Sequence, residues 1–168
     1  MKTLFDNMIP DIGSLRDIGT SKRLAKFGDI VVNMAYSLAL TVKTKRIDAA
    51  KVSKKILSNA LKQADMKKYA KSRANSHDMA NTAEAFVGYM YIKERWSAEK
   101  IAKVLIKVLQ KYDFSSYKEE IDGSIVAFKS LLRIIKKEIT AKLDMKPESM
   151  KPNEEMGDRE KRDGEDNS

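Results

Sequence analysis

Residues 22–42, KRLAKFGDIVVNMAYSLALTV, decide the fold. Between Asp29 and Lys43 the chain runs from Ile30 to Val42, thirteen residues, without a charge. Spanning a bilayer takes about 20 apolar residues, so this run reads as a buried, central helix rather than a membrane anchor. The helix is expected to begin near Ser21.

Outward from that helix the apolar positions keep helical spacing. A second helix is predicted from about Asp48 to Ala64, with Val52, Ile56, Leu57, Ala60, Leu61 and Ala64 on one stripe. A short third piece covers about Met66 to Lys71. A fourth helix runs from Ser76 to about Arg95 and is again unusually apolar. Ser97 caps a fifth whose inward face is Ile101, Val104, Leu105 and Val108. In the last, Ile121, Ile125, Phe128, Leu132, Ile135 and Ile139 recur at steps of three and four, which holds them on one side over several turns. The class is therefore all-α.

With 168 residues the chain suits one domain. The partition expected is an N-terminal extension, partly helical, over 1–20, a helical domain over 21–143 and a disordered charged tail over 144–168. The tail has no aromatic or branched aliphatic residue with which to offset its ordering entropy. Cysteine is absent, and His77 is the only histidine. That combination removes disulfides, thiolate zinc sites, cysteine nucleophiles and histidine-rich metal clusters, so any metal would be a hard, oxygen-liganded one. No Gly-rich phosphate loop is present, which argues against a nucleotide cofactor. The first residues lack the apolar run and cleavage site of a secretory signal, and a cytoplasmic location with no membrane partner is expected.

Two acids lie inside otherwise apolar helices: Asp29 ahead of the charge-free run, and Glu84 within MANTAEAFVGYMYI. A carboxylate in such a place finds a cation or shifts its pKa. Taken singly, each fits an internal ion pair as readily as a site. Gly28 precedes Asp29 and Gly88 follows Glu84 by one turn, although glycine costs a helix about 1 kcal/mol relative to alanine. Close approach of two helices at these glycines would offset that cost and bring the carboxylates face to face. His77, Asn81 and Glu84 share one face of the fourth helix. Carboxylates on two packed helices, with Asn81 assisting, suit Mg²⁺ or Mn²⁺, which need few protein ligands.

The net charge is +9, while residues 146–168 carry more acids than bases, so the remainder is more basic still. Polyanions are the favoured partners. From Ala49 to Ser76, Lys51, Lys54, Lys55, Lys62, Lys67, Lys68, Lys71 and Arg73 stand against one acid, Asp65. Lys51, Lys54, Lys55 and Lys62 oppose the apolar stripe of the second helix. They form either a solvated face or a surface that contacts RNA phosphates. No aromatic interrupts the run up to Lys68, which favours duplex over single-stranded RNA. Arg73, Asn75 and His77 bridge this surface to the acids, and Lys22 and Lys26 flank Asp29 on its own helix.

At these residues the sequence resembles the ribonuclease III family. LAKFGD, residues 24–29, resembles the first family signature, and NTAEAFVG, residues 81–88, the second. YSLALT, Tyr36 to Thr41, is shared with small archaeal proteins of the superfamily. SRANSHDMANTAEAFVGYMYI is similar to the compact "mini" forms, which lack a double-stranded-RNA-binding domain. The resemblance implies a helical endonuclease fold of six or seven helices. It also implies a homodimer that lays double-stranded RNA across two metal centres and cuts both strands, with Asp29 and Glu84 as the catalytic metal ligands. Two departures accompany it. The first signature's glutamates fall on Lys22 and Ala25, and the second signature's aspartate falls on Asn81, which still offers a neutral oxygen. Two readings follow: a metal-dependent endoribonuclease active in RNA processing, or a catalytically inactive module of the same fold that binds RNA or protein. In the second, Lys22 or Lys26 would pair with Asp29 in the metal's place.

Overall fold

The computed structural model describes residues 6, 7, 9 and 12–145, and no strand occurs among them. Of the tail expected over 144–168, Asp144 is the last residue of the final helix and Met145 caps it, and residues 146–168 lie outside the described residues. Six α-helices and one 3-10 turn follow in order: α1 (Leu15–Gly19), α2 (Lys22–Thr44), α3 (Lys54–Gln63), the turn Lys67–Tyr69, α4 (Ser76–Ile92), α5 (Ala98–Leu109) and α6 (Tyr117–Asp144). The fold is all-helical, as the periodicity requires. No helix among the described residues is long and apolar enough to cross a membrane.

Each helix starts at a side chain that accepts a hydrogen bond from the first turn: Ser14, Ser21, Ser53, Asn75, Ser97 and Ser116. Such a cap contributes about 1 kcal/mol. Lys45, in the left-handed region at φ 56°, ends α2.

α4 forms the centre. From Met79 to Met90 every residue except Asn81 is buried, with α2, α3, α1 and α6 packed around it. α2 crosses α4 with the two backbones in contact. A Cβ on Gly28 would lie 1.8 Å from the Glu84 carbonyl oxygen, and one on Gly88 would lie 2.6 Å from the Leu24 carbonyl oxygen. α5 and α6 complete the core with larger side chains, among them Ile101, Leu105, Leu109, Phe128, Leu131 and Leu132. Tyr36 on α2 joins this layer through its ring beside Phe128 and a buried 2.9 Å hydrogen bond with Ser124.

Two expectations are corrected. The second helix begins at Lys54 rather than near Asp48, because Ser53 caps it and the preceding segment is extended along α2. Three α2 side chains one turn apart hold that segment. Asn33 accepts from the Val52 N–H at 2.8 Å, Ser37 accepts from the Ala50 N–H at 2.9 Å, and Thr41 accepts from the Asp48 N–H at 3.3 Å. These bonds satisfy backbone groups that a helix would otherwise pair. Nor is α2 buried all round. Phe27, Ile30, Met34, Leu38 and Val42 form an exposed stripe opposite the face that meets α4.

Candidate active site

Where α2 and α4 cross, their polar residues open into a cleft of about 340 Å³. Asp29 reaches it from α2, and Asn81 and Glu84 from α4. Lys22, Lys26, Lys71 and His77 line it as well, and so does Ala25, the position that the family signature gives to a glutamate.

Glu84 is 3% exposed. Burial pushes its carboxyl above the ordinary range and the nearby Asp29 carboxylate adds to that, while a bond from Lys54 opposes both. The Lys54 ammonium lies 3.1 and 3.4 Å from the two Glu84 oxygens and 3.4 Å from Asn81 Oδ1. The cation paired at this centre is thus Lys54, from the first turn of α3, and not Lys22 or Lys26 on Asp29's own helix. Asn33 orients Asp29 by donating 2.8 Å to its carbonyl oxygen and 3.0 Å to its carboxylate.

The cleft's outer wall is the start of α4. Asn75 and Asp78 close a capping box, with bonds of 3.0 Å to the Asp78 carboxylate and 2.9 Å to the Asn75 amide oxygen. Lys71 pairs with Asp78 at 2.9 Å. These two contacts, Lys71 foremost, hold the Asp78 carboxyl below its usual value. Thr82 Oγ1 donates to the Gly19 carbonyl at 2.8 Å, which fixes α1 against the same wall.

The remaining residues singled out from the sequence lie around the cleft. Asn75 serves as a cap. Lys68 and Arg73 line a neighbouring hollow of about 390 Å³ together with Arg16, Lys67 and Lys71. Lys55 and Lys62 are exposed on α3, and Lys51 borders another hollow beside α2. The basic run therefore divides into a part at the cleft and its neighbour, and a part spread over α3.

Two functional residues escape the periodic reading. Lys54 is assigned by periodicity to the solvated face opposite the apolar stripe, whereas its ammonium reaches Glu84 and Asn81 on α4. Asn33 carried a signal: Asp29, Asn33, Ser37 and Thr41 recur every four residues as one polar row in an otherwise apolar helix.

The arrangement presents two carboxylates and an amide oxygen to one point, with lysines at its rim. Among the described residues no group of three or more His, Cys, Asp or Glu side chains converges as a ready metal site. No curated protein matches the chain. The family model described as Ribonuclease III matches residues 22–141, from the first residue of α2 to the last turn of α6. This chain belongs to the ribonuclease III family.

Proposed function

We propose that the chain is a Mg²⁺-dependent endoribonuclease acting on structured or double-stranded RNA as a homodimer. The observation that carries this reading is the pairing of Asp29 with Glu84 in a cleft rimmed by Lys22, Lys26 and Lys71. Phosphodiester hydrolysis calls for concentrated negative charge to hold a divalent ion, and for cations to hold phosphates. Both occur here within one cleft.

The donor set fits the ion. Asp29, Glu84 and Asn81 offer hard oxygens, Mg²⁺ is satisfied with one or two carboxylates plus water, and the Lys54 ammonium already draws on the Glu84 and Asn81 oxygens. When bound, the ion supplies neutralisation of developing phosphate charge and a more acidic water. The protein's part is positional. Asn33 orients the Asp29 carboxylate, and the Gly28–Gly88 contact keeps Asp29 and Glu84 on facing backbones. Lys22, Lys26 and Lys71 receive the RNA backbone, with the hollow around Arg16, Lys68 and Arg73 as its continuation. Such contacts read A-form geometry rather than base identity.

The homodimer is supported by the exposed stripe on α2. Ile30 is 62% and Met34 53% exposed, and Phe27, in ring contact with Tyr91 at 5.7 Å, extends the same face. An apolar row of this length at the site's own helix is the kind of surface that association covers. A cytoplasmic setting is part of the proposal and accords with the absence of cysteine.

A second reading, a silent RNA-binding member of the family, is favoured by Lys54 on Glu84 and by Ala25 at a family acid position. One assay separates the two. Duplex and hairpin RNA incubated with the protein and Mg²⁺ or Mn²⁺ is expected to be cleaved, while Asp29→Asn and Glu84→Gln abolish cleavage but keep salt-sensitive RNA binding. Binding without cleavage at any metal concentration would establish the second reading instead.

A further inference from the structure

The two carboxylates of the centre are held in place, and their cation is not. Glu84 is buried on α4 with its own carbonyl against Gly28, and Asp29 is bound by Asn33. The Lys54 side chain, by contrast, is 38% exposed and reaches Glu84 on a flexible four-carbon stem. Its place on α3 is electrostatically poor. Lys54 is the first helical residue, the first turn holds no acid, and a cation there opposes the helix dipole. The contact with Glu84 and Asn81 offsets that.

On the proposed reading that this centre takes a divalent ion, we infer that Lys54 is a resident competitor for it: the metal gains Glu84 only by expelling the Lys54 ammonium. Both Glu84 oxygens lie within 3.4 Å of Nζ, so an ion approaching either one meets the Lys54 ammonium. Charge favours the exchange once metal is abundant. Two carboxylates with one ammonium keep a net negative charge, whereas two carboxylates with one divalent ion are neutral. The departing ammonium remains at the cleft, since Lys54 lines it beside Lys22, Lys26 and Lys71. There it adds to the charges facing an RNA phosphate. The centre is then closed by its own lysine when metal is scarce, and opened by the ion itself.

The test is direct binding of Mn²⁺ to the full chain without RNA, followed by electron paramagnetic resonance of the free ion. Lys54→Met keeps the stem and removes the charge. It is expected to bind Mn²⁺ at least about tenfold tighter than the wild type, the ratio set by one charge-assisted hydrogen bond that no longer has to be broken. Lys54→Arg, whose planar fork pairs better with a carboxylate, is expected to bind Mn²⁺ no tighter than the wild type. It serves as the second measurement should Lys54→Met fail to fold by circular dichroism. Equal or weaker binding by Lys54→Met, or tighter binding by Lys54→Arg, overturns the competition and leaves the metal reading standing. Binding by Lys54→Met alone supports the competition and makes the wild-type chain the silent member. No binding by any of the three removes both.

Discussion

The crossing of α2 over α4 and the packing of α5 on α6 belong to one core and are built by opposite means. At α5 and α6 bulk does the work: Ile101, Leu105, Leu109, Phe128, Leu131, Leu132 and Ile135 are all at most 1% exposed. At the α2–α4 crossing bulk is removed. Gly28 and Gly88 let main chain touch main chain, and the residues beside them are Asp29 and Glu84. A helical protein can thus hold charge in its interior where two backbones meet. A side-chain interface must be filled with hydrocarbon, whereas a backbone contact fixes the helices without that requirement and leaves the neighbouring positions open to polar groups.

The largest break in this comparison is expected at Gly28→Ala. A methyl group there meets the Glu84 carbonyl, which is backbone and cannot rotate away. The loss should exceed the roughly 1–3 kcal/mol typical of overpacking, and thermal unfolding followed by circular dichroism measures it. In the other region the opposite operation does the damage. Leu105→Ala, at a fully buried position, should lose about 3 kcal/mol through cavity formation, seen as a lower urea midpoint with an unchanged slope. It should leave the acid pair intact.

Smaller effects sharpen the contrast. Asn75→Ala removes the capping box at the start of α4 and should cost about 1 kcal/mol. Glu84→Gln is expected to act in the other direction, raising stability when measured without metal at neutral pH. The sign follows from the raised Glu84 carboxyl. An acid whose folded value lies above its unfolded one loses stability as the pH rises from the ordinary carboxylate range through the folded value. The variant should therefore be more stable than the wild type at neutral pH and equal to it at strongly acidic pH. A variant less stable at neutral pH would mean that the Lys54 bond outweighs burial.

Much of the fold is visible in the sequence because its signals are local. Serine and asparagine caps, apolar steps of three and four, and the paired glycines each report on one helix or one contact. The start of α3 was hidden because Val52 fits the helical stripe of Ile56 and Leu57, although its N–H is claimed by Asn33 from another element. Periodicity carries no information about such a bond. The exposed stripe of α2 was hidden likewise, since Ile30, Met34 and Leu38 look as suited to a core as Val31, Val32 and Ala35. At the site, Asp29, Asn81 and Glu84 were legible as polar residues in apolar helices. Lys54 was not, because a lysine on an amphipathic helix looks solvated until the tertiary fold turns it inward.

The proposed function requires Asp29 and Glu84 to form a divalent-metal centre. A crystal of the protein soaked in Mn²⁺ and measured for anomalous scattering tests it most directly. A peak is expected between the Asp29 and Glu84 carboxylates, with the Lys54 ammonium moved off Glu84. Lys54 still seated on Glu84 at saturating Mn²⁺, with no peak at that point, would contradict it.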